Sequence, residues 1–151
     1  MQKEPVKLLL ESVPHVVGEN ALAFSSGFFS GYSKVFVLVD ENTKKYCWPV
    51  FRQHLSAVAI DGLIHIRSGE EYKNIETAVF IWQELTRLGA DRHALLINLG
   101  GGVITDIGGF TAATFKRGID FVNIPTTLLG QVDAAIGSKT GIDFQNLKNH
   151  V

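Results

Sequence analysis

Ala94-Leu95-Leu96-Ile97-Asn98-Leu99-Gly100-Gly101-Gly102-Val103-Ile104-Thr105-Asp106 decides how this chain is read. The nearly continuous apolar run has the character of a strand buried on both faces, and the glycines behind it open a helical pattern. A strand running through glycines into a helix leaves bare backbone N–H groups at the positive helix end, where a phosphate or pyrophosphate is held. Three glycines in a row exceed what tight strand–helix packing requires. The expected ligand is therefore a nucleotide, with a small anionic substrate beside it.

The same alternation extends to both sides. Lys34-Val35-Phe36-Val37-Leu38-Val39 is an apolar run ending at Asp40, with a helix expected from Asn42 or Thr43. Leu63-Ile64-His65-Ile66 is a second strand, closed by Ser68-Gly69. From Ile75 to Leu88 the apolar residues Ala78, Val79, Trp82, Leu85 and Leu88 recur at helical spacing, and Gly89 is a stop. Phe121-Val122-Asn123-Ile124 is a further strand, ended by Pro125. Apolar strands joined by helices predict an α/β fold, Rossmann-like, with a mostly parallel sheet and helices on both faces. The first thirty residues are less regular; a strand at 6–13 with a hairpin partner around 21–24 is the expectation.

Size and charge narrow the function classes. A chain of 151 residues is near the common size of one domain, and 46% apolar content with a net charge of -1 describes an ordinary globular protein. No basic excess points to nucleic acid, and no apolar run approaches the ~20 residues of a membrane span. Cys47 is alone, so no internal disulfide forms, and Leu8-Leu9-Leu10 runs straight into Glu11 rather than a secretory signal. The expected compartment is the cytoplasm.

In parallel sheets ligands gather at the carboxyl ends of the strands. The polar strand ends here are Asp40-Glu41-Asn42, Ser68-Gly69-Glu70-Glu71-Tyr72-Lys73, the glycine triplet and Pro125-Thr126-Thr127. Asp40 alone reads first as a helix cap or turn residue, and Asp106 equally as a carboxylate in a helix first turn. Two named phosphate motifs fail. G-x-G-x-x-G needs a glycine at Thr105, and the P-loop spacing is absent before Gly137-Ser138-Lys139-Thr140. His15, His54, His65, His93 and His150 are scattered, so no metal ligand set is expected from this chain.

Taken together, these segments resemble the N-terminal part of the 3-dehydroquinate synthase family. The likeness runs from about Val35 onward. It rests on Gly69-Glu70 with Lys73, on Gly100-Gly101-Gly102-Val103 with Asp106, and on Gly109-Phe110 with Ala112. It continues through Arg117-Gly118, Pro125-Thr126-Thr127-Leu128-Leu129 with Val132-Asp133, Gly137 with Lys139-Thr140, and Lys148-Asn149. Ala134-Ala135, Ser138 and Leu147 depart from the usual pattern in the last loop.

The resemblance implies an enzyme that binds NAD and a divalent metal, zinc or cobalt. Such enzymes convert 3-deoxy-arabino-heptulosonate 7-phosphate to 3-dehydroquinate and phosphate in the shikimate pathway of aromatic amino acid biosynthesis. It also implies residue roles. Asp40, Asn42, Glu70 and Lys73 would hold the adenosine and ribose side of the cofactor. Gly101, Gly102, Val103 and Asp106 would take the pyrophosphate region, and Thr126 and Thr127 the nicotinamide half. Asp133, Lys139 and Asn149 would face the substrate carbocycle, with Lys139 and Lys148 also close to the cofactor. Arg117 would reach the substrate phosphate, typically across a homodimer interface.

Members of the family are roughly twice as long and carry the metal ligands in a helical C-terminal domain. The expectation is therefore that residues 1–151 are the N-terminal nucleotide-binding domain, inactive alone, with an apolar face left exposed or covered by self-association. A sister sugar-phosphate cyclase and a non-catalytic nucleotide-binding module are the alternatives. A metal-dependent alcohol or glycerol dehydrogenase shares the glycines and Pro-Thr-Thr, but Arg117-Gly118 and Val132-Asp133 with Lys139-Thr140 argue against it.

Overall fold

The computed structural model describes residues 5–10, 13–18, 21, 27, 29–137, 139–145 and 147–151. Its centre is a four-stranded sheet of β3 (Val35–Asp40), β4 (Gly62–Ile66), β5 (Leu95–Gly100) and β6 (Asp120–Pro125). Every neighbouring pair is parallel, and the spatial order is β4-β3-β5-β6. Parallel neighbours need crossovers. Here they are α1 (Glu41–Tyr46) with α2 (Trp48–His54), then α3 (Ile75–Arg87), then α4 (Gly102–Thr114).

Strand periodicity divides the core in two. Phe36, Leu38, Ile64, Ile66 and Leu96 point to one face and pack with Ile81 and Leu85 of α3 and Ile104 and Ile107 of α4. Val35, Val37, Val39, Leu95, Ile97 and Leu99 point to the other and pack with Phe29 and with Phe51 of α2 and Leu55 behind it. Both faces are thus covered, as continuous apolar strands require.

The helices are set by their ends. Asn74 caps α3, its side chain accepting from Thr77 N–H, and Gly89 beyond the other end takes φ +73°. The helix after β3 starts earlier than Asn42: Asp40 is its cap, in a reciprocal box with Thr43, so α1 begins at Glu41. By contrast, α4 has no polar face of any width. Ile104, Thr105, Ile107, Gly108, Gly109, Thr111 and Ala112 are all buried in it. The hydroxyls of Thr105 and Thr111 are satisfied by their own helix, each donating to carbonyls one turn back. Glycine at 108 and 109 lets α4 lie against Asn98 and Thr140, where a Cβ would collide.

At the N-terminus the hairpin is tighter than its sequence suggests. β1 (Val6–Leu10) pairs antiparallel with β2 (Val13–Val17), with Leu10 opposite Val13. The first strand is therefore shorter than 6–13. The partner precedes 21–24, of which 22–24 lie outside the described residues. Pro14 hid the second strand, since proline argues against a ladder; in a two-stranded ribbon every strand is an edge, where it is tolerated. No helix among the described residues is long and apolar enough to cross a membrane.

Candidate functional site

The strand order reverses between β3 and β5: the chain leaves β3 to one side for β4 and returns to the other for β5 and β6. Such a switch point opens a crevice at the carboxyl ends of the strands. A cleft of about 350 Å³ lies there. Asp40 at the end of β3, Ser68 and Gly69 beyond β4, Gly101 to Val103 beyond β5, and Thr126 and Thr127 beyond β6 all line it. Asn42 lines it too. Thr43, Tyr46 and Cys47 on the α1 side complete a wall that sequence reasoning had not assigned, for they carry no motif.

One side of this cleft is backbone. Gly101 caps α4 without any side-chain hydrogen bond. Asp106, expected in the first turn, lies in the second because the helix starts at Gly102, so no acidic residue stands in the first. The helix therefore presents its N–H groups and positive end uncovered. Gly130 keeps the approach open: a Cβ there would stand 3.6 Å from the Gly102 backbone nitrogen and 3.0 Å from Thr127 Oγ1. The Thr127 hydroxyl meanwhile accepts from Gly130 N–H at 3.1 Å. Asp40 is the sole charged side chain among the lining residues. Its Oδ1 is engaged at 2.7 Å by Thr43 N–H and at 3.0 Å by Thr43 Oγ1. The capping role that the sequence left open for Asp40 is therefore filled, which does not deprive its other oxygen of a ligand.

A second constellation is charged. Lys73 is 3% exposed, and its ammonium lies 3.3 Å from Asp106 Oδ2, 3.4 Å from Glu70 Oε1 and 3.6 Å from Asp143 Oδ1. It also donates to Asn149 Oδ1 at 2.7 Å. Burial works against the charge on Lys73, but Asp106, then Glu70 and Asp143, outweigh it and hold the ammonium above the usual lysine range. Asp106 is pushed the other way, toward easier protonation: burial raises its carboxyl, Lys73 opposes this, and Glu70 and Asp133 add to the rise. The 3.3 Å contact pairs the two side chains directly. Lys148 joins at the rim, 3.6 Å from Glu70 Oε1.

The remaining candidates are more peripheral. Asp133 lies in a wide helical turn, Gly130–Ala134, and is exposed, as is Lys139; Ser138 lies outside the described residues. Arg117 sits past the far end of α4, with φ +72° next to Lys116 at +48°. At 1.5 Å per residue a helix of 13 residues sets it about 18 Å from the glycines. It does not serve the cleft of its own chain. Among the described residues no His, Cys, Asp and Glu side chains group into a metal site. Exposed apolar side chains do cluster in sequence beside the cleft, with Leu128, Leu129 and Val132 all more than half exposed.

The profile described as 3-dehydroquinate synthase N-terminal matches residues 63–151. This chain belongs to that family. Its relatives include the 3-dehydroquinate synthase of Parabacteroides distasonis, 49% identical over 120 residues, which are 80% of this chain and 34% of that protein. Among solved structures, ValA, the 2-epi-5-epi-valiolone synthase of Streptomyces hygroscopicus subsp. jinggangensis 5008, was crystallised with NAD+ and Zn2+ bound. It superposes with a TM-score of 0.71 at 33% identity, over 78% of this chain and 33% of that one. A 2-deoxy-scyllo-inosose synthase, complexed with carbaglucose-6-phosphate, NAD+ and Co2+, has the same fold. Its TM-score is 0.85 at 21% identity, over 97% of this chain and 41% of that one. The chain thus spans less than half the length of each of these three proteins.

Proposed function

We propose that residues 1–151 are the nucleotide-binding domain of a cytoplasmic 3-dehydroquinate synthase, whose cofactor is NAD. The observation that carries this reading is the uncapped glycine end of α4 opening into the switch-point cleft. The groups present suit the cofactor: a neutral backbone cradle fits a pyrophosphate, and the Asp40 carboxylate, the Asn42 amide and several hydroxyls are among the groups lining the rest of the cleft. Bound there, NAD supplies reversible hydride transfer.

The chain's own residues orient and neutralise. The N–H groups of Gly102 and Val103 face the pyrophosphate, while Asp40 and Asn42 meet ribose hydroxyls with Glu70. Thr126 and Thr127 steer the nicotinamide half. Asp106, paired with Lys73, stands with Gly101 to Val103 in the pyrophosphate region. Asp133, Lys139 and Asn149 face a phosphorylated sugar acid, 3-deoxy-arabino-heptulosonate 7-phosphate, with Lys148 near both ligands. Arg117, remote from its own cleft, serves the substrate phosphate of a partner subunit in a homodimer; a guanidinium fork matches phosphate oxygens. The metal, zinc or cobalt, belongs to a further domain of the whole enzyme, which covers the exposed apolar residues at 128–132 and completes the phosphate-eliminating lyase. Without it this domain binds cofactor but does not turn over. The likeness to ValA favours a sister sugar-phosphate cyclase as the second reading.

The test is a thermal shift of this chain with NAD, against NADP and an Asp106→Ala variant. At 100 times the dissociation constant a ligand adds about 2.7 kcal/mol. For a domain of this size that is a rise of roughly 5–10 °C. A shift selective for NAD and lost in the variant is expected; no shift at millimolar NAD overturns the cofactor reading.

A further inference from the structure

Lys73, Asp143 and Asn149 form a closed ring. The Lys73 ammonium reaches Asp143 Oδ1 at 3.6 Å and donates to Asn149 Oδ1 at 2.7 Å. Asn149 N–H donates to the same Asp143 Oδ1 at 2.8 Å. The Asp143 N–H in turn donates to the Lys73 carbonyl at 2.8 Å. Asp143 therefore grips Lys73 through both backbone and side chain, and Asn149 through its backbone.

The ring closes a tight loop. Ile142 N–H donates to Val151 O at 2.8 Å, and Ile142 itself is buried. Phe144 and Leu147 exchange N–H···O bonds of 3.0 and 2.9 Å across the turn. Gln145 and Asn149 both take φ +50°. Left-handed backbone at a residue other than glycine costs about 1 kcal/mol or more and persists only where the surroundings over-determine it. At Asn149 the determining contact is the Asp143 carboxylate. Two donors, an N–H and an ammonium, converge on one oxygen, which suits an ionised carboxylate better than any neutral side chain.

We propose that Asp143 is a positioning residue of the cofactor site. It holds Asn149, and with it Lys148, against the Glu70–Lys73 turn, and it fixes the direction of the Lys73 ammonium toward Asp106. The role of the loop is then to fix the Glu70–Lys73 turn and Lys148 beside the cofactor, and Asp143 acts without touching the cofactor. The ligand side of this inference rests on the NAD reading above; the ring itself does not.

Two readouts test it on this chain: amide hydrogen exchange at Asn149, and NAD affinity by calorimetry in D143A, D143N, N149A and the D143A/N149A double variant. D143A is expected to speed Asn149 exchange and weaken NAD about tenfold, the effect of one charge-assisted hydrogen bond. D143N keeps the acceptor oxygen and restores the protection. The double variant binds no worse than the weaker single one, because the two residues act as a unit. Unchanged Asn149 protection in D143A, or losses that add, overturn the proposal. If D143A does not fold, an unprotected Asn149 amide in D143N overturns it instead. A wild-type chain that binds no NAD overturns the cofactor reading, and the exchange measurement then decides the ring by itself.

Discussion

The glycine cradle and the Lys73 cluster are built by opposite means. The cradle is neutral, made of backbone, and drawn from short runs at 100–103 and 126–130. Its openness comes from what is missing: side chains, a cap, an acidic first turn. The cluster is charged and centred on a buried lysine, assembled from residues 70, 73, 106, 143 and 149. The cradle is therefore sensitive to added volume, and the cluster to lost charge. A buried lysine is stable only as part of a balanced set, whereas a glycine end tolerates change wherever there is space.

Lys73→Ala should have the largest effect. It leaves three carboxylates facing one another, two of them about four-fifths buried. Breaking a buried pair costs several kcal/mol, and because these carboxylates keep some water about 2–3 kcal/mol is expected. Urea midpoints at constant slope read it. A loss below ~1 kcal/mol would make the cluster a solvated rim and dissolve the contrast.

Gly100→Ala comes next. Its Cβ would sit 2.5 Å from the Ile104 side chain in the core. The overpacking is expected to cost about 1–2 kcal/mol. Gly102→Ala sharpens the comparison, since the nearest atom to its Cβ is 3.9 Å away. It should stay within ~0.5 kcal/mol of wild type. Equal losses in the two variants would mean that the cradle is not limited by volume.

Asp40→Ala should cost about 1 kcal/mol through the α1 cap, while Asp40→Asn, itself a good cap, should cost a few tenths at most. If Asp40 also holds a ribose, Asp40→Asn weakens NAD without lowering the melting temperature. An NAD affinity unchanged in Asp40→Asn would leave the residue a cap alone.

The smallest effect is in pH. Pairing raises Lys73 above its ordinary value of 10.5. The native state thus holds this proton more tightly than the unfolded chain. The stability gained is complete below that value and is lost as pH rises through the higher native one. Above about pH 10.5, the unfolded lysine value, wild type should therefore lose stability more steeply than Lys73→Met. Parallel curves would show that Lys73 does not carry the alkaline limb.

Much of the frame was legible in the sequence. The parallel strands were read to within a residue of their observed ends, because continuous apolar runs bounded by Asp40, Ser68, Gly100 and Pro125 leave little ambiguity. α3 and its Gly89 stop followed from 3.6-residue spacing. The N-terminal hairpin was misplaced because Pro14 masks a strand that only an edge accepts. Asp143 sent no signal at all. It lies between two motifs, Gly137 to Thr140 and Lys148-Asn149, and its partners are 70 positions back and six ahead.

Periodicity and glycine placement, which are local, by themselves determined the α/β class, the strands and the glycine turn after β5. The strand order β4-β3-β5-β6, and with it the switch-point cleft, was decided only by the tertiary structure. So was the remoteness of Arg117 from that cleft and the burial of Lys73 among Glu70, Asp106 and Asp143. The physical reason is range. A residue's own neighbours set its strand or helix, but a lysine can be buried charged only where distant parts of the chain bring carboxylates to it.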